Sequence, residues 1–226
     1  EVIGKIIESK SNFFKVGDMV NSRIGWQKYG VINDSNMISK IQIPKDLPIT
    51  YSLGVLGMPG RTAYLGFLEI CKPKPGETIV ISAASGAVGS IVGQIAKIMG
   101  CKVIGIVGSD SKVEYCLDEL NFDICLNYKN QDIDKELSLL GENFINMYFD
   151  NVGGAVSDAV MDHLALYSRT AICGQIAIYN NSTLPTGPRV ARTLLTKQST
   201  MQGFIVFNFE HKYEEAIIAL TSWIRN

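Results

Sequence analysis

Ile79-Val80-Ile81-Ser82-Ala83-Ala84-Ser85-Gly86-Ala87-Val88-Gly89-Ser90-Ile91-Val92-Gly93 is the stretch on which the fold turns. A β-branched run ends in small residues, after which Val88, Ile91, Val92, Ile95, Ala96 and Met99 recur at helical spacing. The context is strand, tight turn, helix. A pyrophosphate needs backbone N–H groups at close range, and a β-carbon at the second glycine of such a turn would hold it off. Gly86 permits the approach, Ala87 and Val88 complete the turn, and Gly89 lets the helix pack close to the strand. The helix N-terminus adds partial positive charge. The first position of G-x-G-x-x-G is Ala84, so the motif is A-x-G-x-x-G. Small residues also occur wherever a helix abuts a strand, so the motif draws its weight from its surroundings.

Those surroundings alternate. From Pro73-Lys74-Pro75-Gly76 onward, short apolar strands are expected at 78–82, 103–107, 124–127, 147–150, 170–173 and 203–207, with helical stretches between them. That rhythm predicts an α/β fold, a doubly wound parallel sheet with helices on both faces. The stretch 203–208 reads as the last strand, at an edge whose backbone groups need a partner. Upstream the texture changes. A β-branched run at 2–7, a turn at Val16-Gly17-Asp18, Met19-Val20, and a further strand within 25–32 predict a small all-β piece. Two domains in contact follow, one over 1–50 and one over 51–226.

The chain has 226 residues, with 21 Lys and Arg against 22 Asp and Glu, a net charge of −1, and 46% hydrophobic residues. That balance excludes a disordered chain and gives no support to nucleic-acid binding through net charge. Every hydrophobic stretch is broken before it reaches membrane-spanning length, so no membrane partner is expected. The opening Glu1-Val2-Ile3-Gly4-Lys5-Ile6-Ile7-Glu8 carries no basic-then-apolar segment, and the expected location is cytoplasmic. The five cysteines are odd in number, far apart and set mostly among apolar residues, as buried free thiols in a reducing compartment would be. No C-x-x-C occurs, and neither His163 nor His211 stands at metal-ligand spacing with a cysteine, so no metal site is expected within this segment.

The end of the second strand bears on the choice of nicotinamide cofactor. An NAD site places an acidic residue there, about 20 positions beyond the glycines, on the ribose hydroxyls. Here the strand ends in Val107-Gly108-Ser109 without a carboxylate; Asp110 follows as the expected helix N-cap and Lys112 lies in the first turn. A missing carboxylate removes repulsion from a 2′-phosphate, and a lysine neutralises it as a point charge, so NADP is favoured. Lys112 taken alone also fits a solvated helix lysine.

Five motifs then occur in order: Gly57-Met58-Pro59-Gly60-Arg61-Thr62-Ala63-Tyr64, Ala84-Ser85-Gly86-Ala87-Val88-Gly89, Asn127-Tyr128-Lys129, Phe149-Asp150-Asn151-Val152-Gly153-Gly154, and Cys173-Gly174-Gln175-Ile176-Ala177-Ile178-Tyr179-Asn180. Together they resemble the zinc-independent medium-chain dehydrogenase/reductases of the prostaglandin reductase, leukotriene B4 12-hydroxydehydrogenase and curcumin reductase group. Met201-Gln202-Gly203-Phe204-Ile205-Val206-Phe207 resembles the curcumin reductase branch. The resemblance implies a Rossmann sheet joined to part of a GroES-like β domain, with NADPH in the cleft between them. It further implies a chain truncated at both ends, and an identical subunit pairing edge to edge as a homodimer.

By matching motif, the resemblance implies that Gly86, Ala87, Val88 and Gly89 hold the pyrophosphate, and that Lys112 and Tyr128 contact the 2′-phosphate. Asn151 would face the cofactor. Cys173, Gly174, Gln175, Ile176 and Tyr179 would line the nicotinamide side, with Met58, Thr62, Phe204, Ile205 and Val206 nearby. The implied reaction is NADPH-dependent reduction of the C=C bond of an enone or enal, such as a 15-oxoprostaglandin or curcumin. Hydride reaches the β-carbon and charge develops on the carbonyl oxygen, where a hydrogen-bond donor is required and no metal need be. Tyr179 is the candidate donor. A buried structural tyrosine is the competing reading. None of the nine tyrosines has lysine four residues on, which excludes the short-chain dehydrogenase pair. A quinone oxidoreductase of the same superfamily and a non-catalytic NADPH-binding protein stay open.

Overall fold

The computed structural model describes residues 1–33, 37–183 and 185–226, and among these nine strands form two sheets. The smaller is antiparallel, with β1 (Val2–Lys5), β2 (Met19–Ser22) and β3 (Ile38–Lys40) in that spatial order. Gly17 closes the β1–β2 connection at φ +96°, its N–H donating to the Ile6 carbonyl. The strand expected within 25–32 does not form. Gln27 instead folds its side-chain amide onto the Ile24 carbonyl at 2.7 Å, and Trp26, Tyr29 and Val31 stand exposed with no neighbouring strand to pair. The third strand is the short, mostly exposed β3, whose sequence carries no clear alternation.

The larger sheet contains β4 (Thr78–Ser82), β5 (Lys102–Val107), β6 (Ile124–Asn127), β7 (Ile145–Asp150), β8 (Leu164–Ile172) and β9 (Thr200–Gly203). Its order is β6-β5-β4-β7-β8-β9 and every pairing is parallel. Successive residues of the central strands drop into two separate cores. Ile79, Ile81, Val103, Met147 and Phe149 face one, while Val80, Ile104, Ile106 and Tyr148 face the other. Both faces are therefore covered, which is why these strands read as continuous apolar runs.

The first core is closed by α1 (Met58–Leu65), the π-helical turn Gly66–Cys71, α2 (Gly89–Ile98) and the later α7 (Tyr213–Arg225). Between α2 and α7 the chain forms α3 (Asp110–Glu114), α4 (Ile133–Leu140), α5 (Gly154–Asp162) and α6 (Val190–Lys197), of which α4 and α5 close the second core. The Asp132 side chain caps α4 by accepting the Lys135 N–H, as expected of an aspartate at a helix start. At the N-terminal rim Arg169 of β8 grips Glu77 bidentately, at 2.9 and 2.5 Å, and donates to the Cys71 carbonyl.

The last strand differs from expectation. The strand expected at 203–207 lies earlier: β9 runs over Thr200–Gly203, residues 204–207 are outside it, and Val206–Lys212 is a 3-10 helix. The partner strand decides this. β8 stops at Ile172, whose carbonyl accepts the Phe204 N–H as the last bond of the ladder. Beyond it the Cys173 and Gly174 N–H groups turn back to the Asp150 carbonyl, leaving nothing for 205–207 to pair with. Two further contacts join the small sheet's side of the chain to the rest: Asp46 pairs bidentately with Arg225 of α7, and Arg23 lies 5.5 Å from the Phe207 ring.

Candidate functional site

All six strands of the large sheet end at one rim, and the order reverses between β4 and β7. Loops leaving on opposite sides of such a switch point open a crevice there. Three residues tie its two sides together. Ser82, the last residue of β4, donates its hydroxyl to Asp150 Oδ1 at 3.0 Å. Asn151 donates its N–H to Ser82 Oγ at 2.9 Å and its side-chain amide to the Ser82 carbonyl at 2.8 Å. Asp150 is 2% exposed, and its Oδ1 also accepts the Tyr148 hydroxyl and the Val152 and Gly153 N–H groups, each at 2.9 Å. Burial, then the Asp150 charge, pushes the Tyr148 hydroxyl well above its ordinary value.

The glycine turn follows β4. A Cβ on Gly89 would stand 2.4 Å from the Ala83 carbonyl oxygen and 3.0 Å from Ala84 Cα, so the close packing of α2 on the strand requires glycine. Among the described residues the Ala87, Val88 and Gly89 N–H groups have no acceptor, which leaves free donors at the mouth of α2. This is the cradle a pyrophosphate needs.

After β5 the helix N-cap is Ser109, not the expected Asp110. The Asp110 carboxylate is occupied elsewhere, accepting the Asn127 and Asn130 side-chain amides at 2.7 and 3.0 Å. Those bonds hold its carboxyl below the usual range. Lys112 is exposed on α3. Tyr128, just past β6, lays its half-exposed ring against Gly108, where an added Cβ would stand 3.0 Å from its Oη.

The segment after β8 folds back on the crevice. Gln175 reaches Asp150 Oδ2 with its side-chain amide at 3.4 Å and donates its backbone N–H to Tyr179 Oη at 3.0 Å. Gly153, at φ +70°, makes room for it: a Cβ there would stand 2.3 Å from Gln175 Oε1. Tyr179 is 65% exposed and Ile176 63%, so Tyr179 is not a buried structural tyrosine. Burial, and next the Asp150 charge, raises the Cys173 thiol to about 12. Past β9, Phe204 and Val206 are packing residues: the Phe204 ring covers Gly66 and meets Phe149 edge-on, while Val206 is 7% exposed. Ile205 between them faces outward.

Gly86, Ala87, Val88, Gly89, Lys112, Tyr128, Asn151, Cys173, Gly174, Gln175, Ile176, Tyr179, Phe204, Ile205 and Val206 are thus all carried just beyond strand ends on one rim. Met58 and Thr62 are carried by α1 instead. Met58 opens that helix, and the Thr62 hydroxyl is turned onto the Met58 carbonyl at 2.7 Å. Ser82 and Asp150 were not among the expected site residues. Their signal was present, since each is a polar residue closing an apolar strand, and the α/β order makes those two strands neighbours. Among the described residues no three His, Cys, Asp or Glu side chains are grouped to hold a metal ion.

The family model described as zinc-binding dehydrogenase matches residues 87–222, more than half of the chain. The chain belongs to the zinc-binding dehydrogenase family. Within the family it is similar to the NADP(+)-dependent 2-alkenal reductase of Nicotiana tabacum, 44% identical over 96% of this chain and 64% of the relative. It is likewise similar to prostaglandin reductase 1 of Mus musculus, 42% identical over 99% of this chain and 69% of the relative. The NADPH complex of CurA from Vibrio vulnificus superimposes with a TM-score of 0.90 at 41% identity, over 99% of this chain and 67% of that one. These relatives place the chain in the family's prostaglandin reductase and curcumin reductase group, with a Rossmann sheet and part of a GroES-like β domain. The chain spans about two thirds of the length of the relatives it matches.

Proposed function

We propose that the complete protein reduces the C=C bond of α,β-unsaturated ketones and aldehydes with NADPH, and that this chain carries the cofactor cradle and the donor that polarises the substrate. The observation that carries this reading is the state of Tyr179. Its Oη accepts the Gln175 N–H, so its own proton is free to donate, and the ring stands exposed beside the switch point instead of in the core. Relatives named as an alkenal reductase, prostaglandin reductases and a pulegone reductase support the class of reaction, and the NADPH-bound relative supports the cofactor.

When bound, NADPH supplies the hydride that adds at the enone β-carbon. The chain's own residues do the remaining work. The free N–H groups of Ala87, Val88 and Gly89 hold the pyrophosphate, and Lys112 with Tyr128 holds the 2′-phosphate. Asn151, fixed through Ser82, and Gln175, held by Asp150, wall the crevice. Tyr179 donates to the carbonyl oxygen as it gains negative charge, while water protonates the α-carbon. In the same reading residues 1–50 belong to a partial catalytic domain and 51–226 to the cofactor domain. The five free cysteines support a cytoplasmic location, and the edge strand β9 supports a homodimer joined there.

Tyr179→Phe in the complete protein tests the mechanism. Loss of a transition-state donor lowers kcat with NADPH and an enone by about 10²-fold; unchanged kcat and KM remove Tyr179 from it. A quinone assayed beside the enone tests the quinone oxidoreductase reading. NADPH binding without turnover of either substrate leaves a non-catalytic binder.

A further inference from the structure

Asp110 is the first carboxylate beyond β5, the strand whose end carries the ribose-binding acid in NAD sites. Its Oδ1 is nevertheless engaged by two side-chain amides. Both amides that hold it lie at or just beyond the end of β6, on the far side of β5 from β4 and its glycine turn. The Asn127 amide is held in place. Asn127 is 5% exposed, its Oδ1 accepts the Lys129 N–H at 3.1 Å, and its backbone N–H donates to Gln131 Oε1 at 2.8 Å. With Oδ1 engaged, Nδ2 is left facing Asp110. Asn130 is anchored in the same turn through its N–H to the Asn127 carbonyl.

We propose that Asn127 and Asn130 determine cofactor selectivity indirectly, by fixing the Asp110 carboxylate through its Oδ1 at the end of β6, so that it does not turn onto the ribose at the end of β5. The two asparagines are positioning residues. The inference rests on the NADPH reading above. An exposed aspartate is ionised at neutral pH, and the same hydrogen bonds lower its carboxyl further, so the charge they restrain is a full one. Released, that carboxylate repels a phosphate and accepts from the ribose hydroxyls of the unphosphorylated carrier.

The test is equilibrium titration of the complete protein with NADPH and NADH separately, without substrate, followed by nicotinamide fluorescence. The wild type prefers NADPH. Asn127→Ser with Asn130→Ala lowers the NADPH-to-NADH affinity ratio by about tenfold, and adding Asp110→Asn to that pair restores the ratio. Asn130→Ala alone, at an exposed position, lowers it by about threefold without threatening the fold. An unchanged ratio in these variants, with NADPH still preferred by the wild type, overturns the proposal and leaves the NADPH reading standing. So does a fall that Asp110→Asn does not reverse. A wild type that prefers NADH, or binds neither, overturns the NADPH reading itself.

Discussion

At the scale of single residues, Asp150 is where stability and site geometry meet. One buried oxygen takes the Ser82 and Tyr148 hydroxyls and two backbone N–H groups. Asp150→Ala strands those donors and costs about 3 kcal/mol or more, read by urea denaturation. Asp150→Asn keeps an acceptor oxygen in place and costs clearly less; equal losses for the two variants would show that the network is not what matters. The motif resemblance alone implied that Asn151 faces the cofactor, and its hydrogen bonds to Ser82 hold it at the crevice. Asp150 was legible only as a polar residue closing an apolar strand, and its bonding was not. Its partner Ser82 lies 68 residues away, and nothing local announces the pairing.

The elements were legible where local chemistry decides them. The strand-turn-helix at residues 78–98 follows from β-branched residues, small residues and a 3.6-residue repeat, and β4 runs over Thr78–Ser82 as expected. Gly89→Ala tests the turn. The added Cβ meets the backbone of Ala83 and Ala84, which cannot yield as a side chain would, so the variant loses about 1–3 kcal/mol. It also weakens NADPH binding in titration, since α2 must shift away from β4. A fully stable variant with intact binding would show that the close approach is not needed. Two expectations failed at this scale, the strand within 25–32 and the part of the last one over 204–207. Both stretches are rich in strand-forming residues, and each lacks a neighbour with free backbone groups at its own position. Strand propensity without a partner is not a strand.

For the whole molecule, pH dependence follows from groups that tie distant segments together. Burial works to raise the Glu77 carboxyl, yet the Arg169 guanidinium and the Lys74 N–H outweigh it and hold it below its usual value of 4.5. The folded state therefore binds its proton less readily than the unfolded chain. The stabilisation is complete above about pH 4.5 and is lost as pH falls through the lower folded value. Glu77→Gln removes about 2 kcal/mol near neutrality and progressively less in acid, a convergence visible in denaturation curves collected across pH. At the alkaline end burial raises the Cys71 thiol from 9.0 to about 12. A raised value gives stability that is full below 9 and is lost as pH rises toward 12, so Cys71→Ser flattens the alkaline limb of the same curves. Light scattering on the complete protein should give the mass of two copies if β9 pairs with its symmetry mate.

The sequence by itself determined the identity and order of most elements and the glycine turn, because periodicity, turn chemistry and β-branching act over a few residues at a time. Only the tertiary structure decided where β9 stops, which amides hold Asp110, and that Asp150 binds Ser82. Each of these depends on which strand ends lie side by side and on which donors and acceptors they leave unpaired, a property of the assembled sheet that no short stretch contains.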